Sequence, residues 1–203
     1  AMLDDGVTLN LMPGNGSLET LERLTTGEAD VGFVQGGTAD LEVHTELVSL
    51  ASVFYEPVWV FYRRELDVQY LADFLGRRIS VGVEGSGITP VATQLLSVNG
   101  VNADNSEFRH LINTTAAAQL MDGEIDVSFF VIAPSSSLIQ ELTDHPDIRL
   151  FNFERALAYS ERFTYLTPVP LGQGVFNFLE NLPPQDITVM AATANLVVRE
   201  DMH

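Results

Sequence analysis

The 203-residue chain contains no cysteine. Disulfides, thiolate nucleophiles and cysteine-ligated metal sites are therefore excluded, and the composition suits an exported protein without requiring export. Lysine is absent too, because all ten basic residues are arginine. Lysine-based chemistry (Schiff base, pyridoxal phosphate attachment, P-loop) goes with it. Against ten arginines stand 28 acidic residues, for a formal net charge of −18. Nucleic acid and anionic membrane are thereby disfavoured as partners, since neither meets a basic patch. His44, His110, His145 and His203 are scattered, with no HExxH and no i,i+4 pair, so no metal site is expected. No apolar run reaches the length of a transmembrane helix. Ala1-Met2 leads straight into LDDG with no signal peptide, as in a segment excised from something longer.

What is present is a 46% hydrophobic share, enough for a packed core. The chain is organised around Leu21 to Val34. Leu18, Leu21 and Leu24 recur at helical spacing, Gly27 stops the helix, and Val31-Gly32-Phe33-Val34 reads as a short buried strand. The unit returns near residue 120, where Gly123-Glu124-Ile125-Asp126-Val127 aligns with Gly27-Glu28-Ala29-Asp30-Val31. Strand-like Val7 to Met12 precedes the first copy and Phe108 to Ile112 the second. A strand–loop–helix–GEXDV–strand unit repeated at this long interval suggests two similar α/β lobes, not a solenoid. Gly27 and Gly123 should end equivalent helices, each followed by a central parallel strand.

Further strands are expected at Leu47 to Tyr55, Val58 to Tyr62, Arg78 to Val83, Ile148 to Phe151, Ile187 to Ala192 and Leu196 to Val198. Helices are expected at Tyr70 to Leu75, Thr89 to Asn99, Thr114 to Met121 and Ser135 to Leu142. The stretch from Phe163 to Leu182 gives no clear pattern. Alternating strands and helices predict mostly parallel sheets covered on both faces. The lobes divide as residues 1–57 plus 196–203 for the first and 64–192 for the second. Residues 58–63 and 193–195 cross between them, giving a two-lobed clamshell with an interlobe cleft.

Three loops follow strands and open helices: Gly14-Asn15-Gly16-Ser17, Glu84-Gly85-Ser86-Gly87 with Thr89, and Asn113-Thr114-Thr115. Helix N-termini beyond strand ends suit a carboxylate or phosphate. For any one loop, simple helix capping is the plainer account; three loops converging on one cleft favour binding. GxGxxG, GK[ST] and GxSxG are all incomplete around Glu84-Gly85-Ser86-Gly87. Asp30 and Asp126 occupy matching positions and could form an acid–base pair, but turn-fixing hydrogen bonds explain them better. Tyr55 and Glu56 end a strand-like run where they could line the cleft.

The strings LERLTTGEADVGFVQGG, LASVFYEPVWVFYRRE, GRRISVGVEGSGITPVATQLLSVNGV, DGEIDVSFF and TANLVVRED resemble solute-binding subunits of TRAP transporters of the TAXI family. The resemblance implies the type 2 periplasmic binding protein fold and no cofactor. It places Asn15, Gly16, Ser17, Gln35, Gly36 and Tyr55 at the ligand from the first lobe, and Ser86, Gly87 and Thr89 from the second. The implied ligand is a small carboxylate, glutamate-like or a related organic acid. The implied partners are membrane permease subunits of a TRAP transporter. Relatives begin one strand and one Gly-rich loop earlier and continue past VVRED, so the first lobe is expected to be incomplete and the chain to self-associate through its open edge. The expected location is periplasmic, with a membrane anchor in the longer protein. The module is read as a non-enzyme; the alternatives are an extracytoplasmic sensor domain and a small-metabolite transferase on the same fold.

Overall fold

Two long strands carry the molecule. In the computed structural model, which describes residues 8–38 and 44–201, β2 (Leu47–Arg63) and β8 (Ile187–Arg199) run antiparallel from Leu47↔Arg199 to Val58↔Met190. The two apolar runs expected at 47–55 and 58–62 are thus one 17-residue strand. Those expected at 187–192 and 196–198 are likewise one strand of 13 residues, with Thr193, Ala194 and Asn195 inside it.

At one end, β1 (Val31–Gln35) adds to the outer edge of β8, with α1 (Ser17–Thr26) packed beside it. At the other, β5 (Val127–Val131), β3 (Arg78–Ser80) and β4 (Glu107–Arg109) extend the sheet from β2. The full order is β1-β8-β2-β5-β3-β4, with β6 (Ile148–Leu150) paired to β2 and β7 (Leu166–Leu171) to β8. The expected "mostly parallel" sheet is therefore a mixed one. Among the described residues only β3–β4 and β3–β5 are parallel, while every pairing that involves β2 or β8 is antiparallel. The cause is topological: two strands that leave one lobe and return to it must run in opposite directions.

Helices cover both faces of the larger half. On one face Val58, Val60 and Tyr62 of β2 pack with α2 (Ile88–Ser97), the 3-10 turn Leu71–Phe74, Phe151 and Phe153. On the other, Trp59 and Phe61 pack with α3 (Asn113–Met121) and α4 (Ser137–Asp144). α5 (Ala156–Arg162) adds Ala156 and Tyr159 to the first of these clusters. Trp59 is fully buried and its indole N–H donates to Ile132 O at 3.0 Å. Truncating such a residue to alanine would cost about 3–5 kcal/mol. Among the described residues, the buried core of the smaller half is Leu21, Leu24, Val34 and Val197, and Ser49 to Tyr55 of β2 are exposed.

The glycine stops hold in both copies. Gly27 takes φ 74° as the left-handed cap of α1, and Gly123 takes φ 76° just beyond α3. Only glycine adopts this conformation without a Cβ penalty. Each sits beside an arginine at the end of a long strand. Arg63 of β2 donates to Leu120 O and Met121 O, and a Cβ on Gly123 would lie 3.7 Å from its guanidinium carbon. A Cβ on Gly27 would lie 2.8 Å from Arg199 Nη1 of β8. The repeat is real at this joint and fails before it. Among the described residues of 8–12 only Thr8 makes a β-bridge, and Val7 lies outside the described residues. The strand after Gly123 is central and parallel to β3, as expected. The strand after Gly27 is instead, among the described residues, an edge strand antiparallel to β8, because β8 occupies its inner side.

Candidate ligand-binding site

β1 ends at Gln35 and α1 begins at Ser17, so the loop 13–17 lies against the C-terminal end of β1. Ser17 Oγ accepts from Gln35 N at 3.0 Å and fixes that approach. The glycine loop that follows β3 comes to the same place from the other half. Gln35 Nε2 donates to Gly87 O at 3.1 Å. A Cβ on Gly16 would lie 3.3 Å from Gly85 O, and one on Gly87 would lie 2.7 Å from Gln35 Oε1. A side chain at Gly87 would push the two loops apart. Gln35 is only 7% exposed although polar, which fits an amide committed to this bridge. A second bridge runs alongside: Gln94 of α2 donates to Gly37 O at 3.3 Å and accepts from the Tyr165 hydroxyl at 2.7 Å.

Gly16, Ser17, Gln35, Gly36, Ser86, Gly87 and Thr89 are thus brought to one junction or its margin, with Gly36 N bound to Thr193 O at 2.7 Å. The hydroxyls of Ser86 and Thr89 do not point across it. Ser86 Oγ donates to Val83 O at 2.5 Å and Thr89 Oγ1 to the same carbonyl at 2.9 Å, which knots their own loop. Asn15 is drawn to its own helix: its backbone N–H donates to Glu19 Oε2 at 2.6 Å and its side-chain amide at 3.0 Å. The Asn15 N–H bond, with Arg23 nearby, holds the Glu19 carboxyl below its ordinary range despite partial desolvation.

Tyr55 is not brought in. It is 58% exposed, whereas its neighbours Phe54 and Glu56 line a 190 Å³ depression with Gly16, Ser17, Phe33 and Gln35. Strand alternation explains the exchange, since residues 54 and 56 share a face that 55 does not. Glu56, weighed in the sequence only beside Tyr55, is half-buried, and desolvation pushes its carboxyl up. The apolar–polar break between Phe54 and Glu56 was the available signal.

The paired aspartates take separate structural positions. Asp126 accepts from Arg78 through Nη2 at 2.6 Å, Nε at 3.0 Å and backbone N at 2.8 Å. Burial raises its pKa, but these bonds outweigh burial and the net shift is downward. Asp30 is exposed near Arg199. A larger cavity of 470 Å³ lies elsewhere, between β6 and the 176–185 loop, away from these loops.

Residues 2–203 match the family model described as the NMT1-like family. Among solved structures, an ancestral arginine-binding protein bound to arginine superposes at TM-score 0.57 with 14% identity, over 97% of this chain and 69% of that one. The amino acid ABC transporter substrate-binding protein AbpA of Streptococcus pneumoniae, bound to L-arginine, gives TM-score 0.55 and 17% identity over 97% and 65%. A putative sulfonate ABC transporter periplasmic sulfonate-binding protein of Methylobacillus flagellatus gives 0.56 and 14% over 97% and 51%. The chain therefore spans about two thirds of the first two structures and half of the third. It belongs to the NMT1-like family and has the two-lobed fold of the type 2 periplasmic binding proteins.

Proposed function

We propose that the chain is the gripping part of a non-enzymatic solute-binding protein, serving an uptake system outside the cytoplasmic membrane. The observation that carries the reading is the Gln35–Gly87 bridge, a buried polar contact between the last residue of β1 and the glycine loop after β3. Such junctions beyond strand C-termini are where open α/β sheets take ligands. The lobes are assigned as 1–57 with 196–203, and 64–192, with 58–63 and 193–195 as crossings. Closure of one lobe on the other would trap the solute, and opening would release it to a membrane partner.

The solute class proposed is a small molecule with an acidic group, a carboxylate by the TAXI resemblance. That group would meet the loops of Gly16-Ser17 and Ser86-Gly87-Thr89, with Gln35 and Gly36 beside it, through backbone N–H groups more than through the Ser86 and Thr89 hydroxyls. Asn15 serves by holding Glu19 aside, and Tyr55, on the opposite strand face, takes no part. The TAXI resemblance favours a TRAP permease as partner. The solved structures that superpose are amino acid and sulfonate proteins of ABC systems, and these favour the other transporter class.

Calorimetry on protein freed of carried-over solute by unfolding and refolding tests the reading. L-glutamate, L-arginine, glutarate and ethanesulfonate form the panel. Saturable one-to-one binding of at least one, lost in Gly87→Val, is expected. No binding by any of them, or binding indifferent to Gly87→Val, would overturn it.

A further inference from the structure

The 470 Å³ cavity between β6 and the 176–185 loop is built around a buried phenol. Tyr62 is only 9% exposed, its ring centroid 6.0 Å from that of Phe74 and 6.4 Å from that of Phe151. Tyr62 lines the cavity. Its hydroxyl has no hydrogen-bond partner among the described residues and is not sealed in the core, so it opens onto that space. Arg149 stands directly opposite Tyr62 in the β2–β6 ladder. Arg64 N donates to Asp147 O at 2.7 Å, which carries the ladder one rung further and puts Arg64 on the same face. Both arginines line the cavity too. Burial pushes the Tyr62 phenol up, Arg149 acts against that rise, and Asp67 adds to it. Among the described residues neither arginine forms an ion pair, in a chain where 28 acidic residues compete for ten arginines. Arg64 commits one nitrogen, Nη1, to Pro146 O at 3.2 Å. No residue that borders an undescribed one lines this cavity.

We propose that the cavity is a second binding site, for a small monocarboxylate with an apolar body. Arg64, Arg149 and the Tyr62 hydroxyl hold the carboxylate, and Phe176, Leu182 and Ile187 receive the body. A guanidinium fork matches the planar carboxylate, and the volume falls within the roughly 300–1,000 Å³ of small-molecule pockets. Asp144, Glu154 and Glu180 also line the cavity, Glu154 taken by Gln69 Nε2 at 3.1 Å. These carboxylates repel a second negative charge, so the site refuses polyanions. Tyr62 lies about 20 Å along β2 from Glu56, which makes this site separate from the loop junction and independent of the ligand proposed there.

The test is calorimetry with 3-phenylpropionate, its neutral amide 3-phenylpropionamide, and pyrophosphate. The monocarboxylate should bind saturably, and the other two at least tenfold more weakly, as expected when charge-assisted hydrogen bonds are lost or a second charge is repelled. Arg149→Gln should bring the acid and its amide to within about threefold of each other, and Tyr62→Phe should weaken the acid about tenfold. Arg149 is exposed and Tyr62→Phe keeps the ring, so both variants should melt with the wild type. Absence of binding by the acid, or equal binding of acid and amide, overturns the site. Affinity unchanged in Arg149→Gln also overturns it, by placing the probe elsewhere, and tighter binding of pyrophosphate overturns the monocarboxylate assignment.

Discussion

The side-chain amide of Gln35 donates to the carbonyl of Gly87 across 3.1 Å, joining residues 52 positions apart in the chain. One comes from the strand of the smaller half and the other from the glycine loop of the larger. If this bond holds the two halves together, Gln35→Ala should favour the open form. Small-angle scattering should show an increased radius of gyration, and solute affinity should fall about tenfold, since a buried Gly87 carbonyl loses its partner. An unchanged radius together with unchanged affinity would separate the bond from closure.

Asp126 and Arg78 make a second prediction, about stability alone. The carboxylate receives three bonds from one residue and is held below its ordinary range. A depressed folded-state pKa means the contribution is present above the unfolded value of 3.8 and lost as pH falls through the folded value. Asp126→Asn should therefore melt earlier than wild type at pH 7, by about 1–2 kcal/mol after allowing for screening of the partly exposed Arg78. The difference should shrink on titration into strong acid. A gap that stays constant down to pH 2 would contradict the linkage.

Ser80 and Ser128 pair directly across β3 and β5, and both hydroxyls are buried without a hydrogen-bond partner among the described residues. Leaving such a group unsatisfied costs about 1–3 kcal/mol. Ser128→Ala, and Ser80→Ala with it, should raise the midpoint of urea unfolding without changing its slope. A lowered midpoint would mean that the hydroxyls are hydrogen-bonded in solution.

β1 pairs only with β8 among the described residues, and its Val31 and Phe33 are 39% and 56% exposed. An open apolar edge invites pairing with another chain. Light scattering of the 203-residue chain should show concentration-dependent dimerisation that Phe33→Lys suppresses. A clean monomer at millimolar concentration would count against it.

Legibility in the sequence followed the range of the interaction. Helix stops at Gly27 and Gly123 were readable because left-handed backbone leaves a local residue signature. The β3 strand was read three residues too long, to Val83, because the apolar run continues past the chain reversal at Gly82, φ 87°. β7 was missed because Pro168 and Pro170 disfavour strands, yet among the described residues β7 is an edge strand paired only with β8, where proline is tolerated. Sheet direction was misread for a different reason: parallel or antiparallel pairing depends on which strands end up as neighbours, and that is set far from any local window. The site loops were found from turn chemistry, whereas Tyr55 and Glu56 were named together because the phase of strand alternation, which puts Glu56 and not Tyr55 in the depression, is set by the partners of β2.

The paired length of β2 and β8 has a mechanical consequence. A strand pair with intact rungs resists sliding, because any slip of one residue would turn every side chain to the opposite face. It yields far more readily to twist, and its two irregularities, between Ser49 and Ala51 and between Ser52 and Phe54, are where local twist increases. Motion between the halves should accordingly be a rotation about the ribbon's long axis, concentrated on the smaller half's side of Val58. The mouth above Glu56 would then open like a wrung cloth, with hydrogen exchange fastest at residues 49–55 and slowest at residues 58–62.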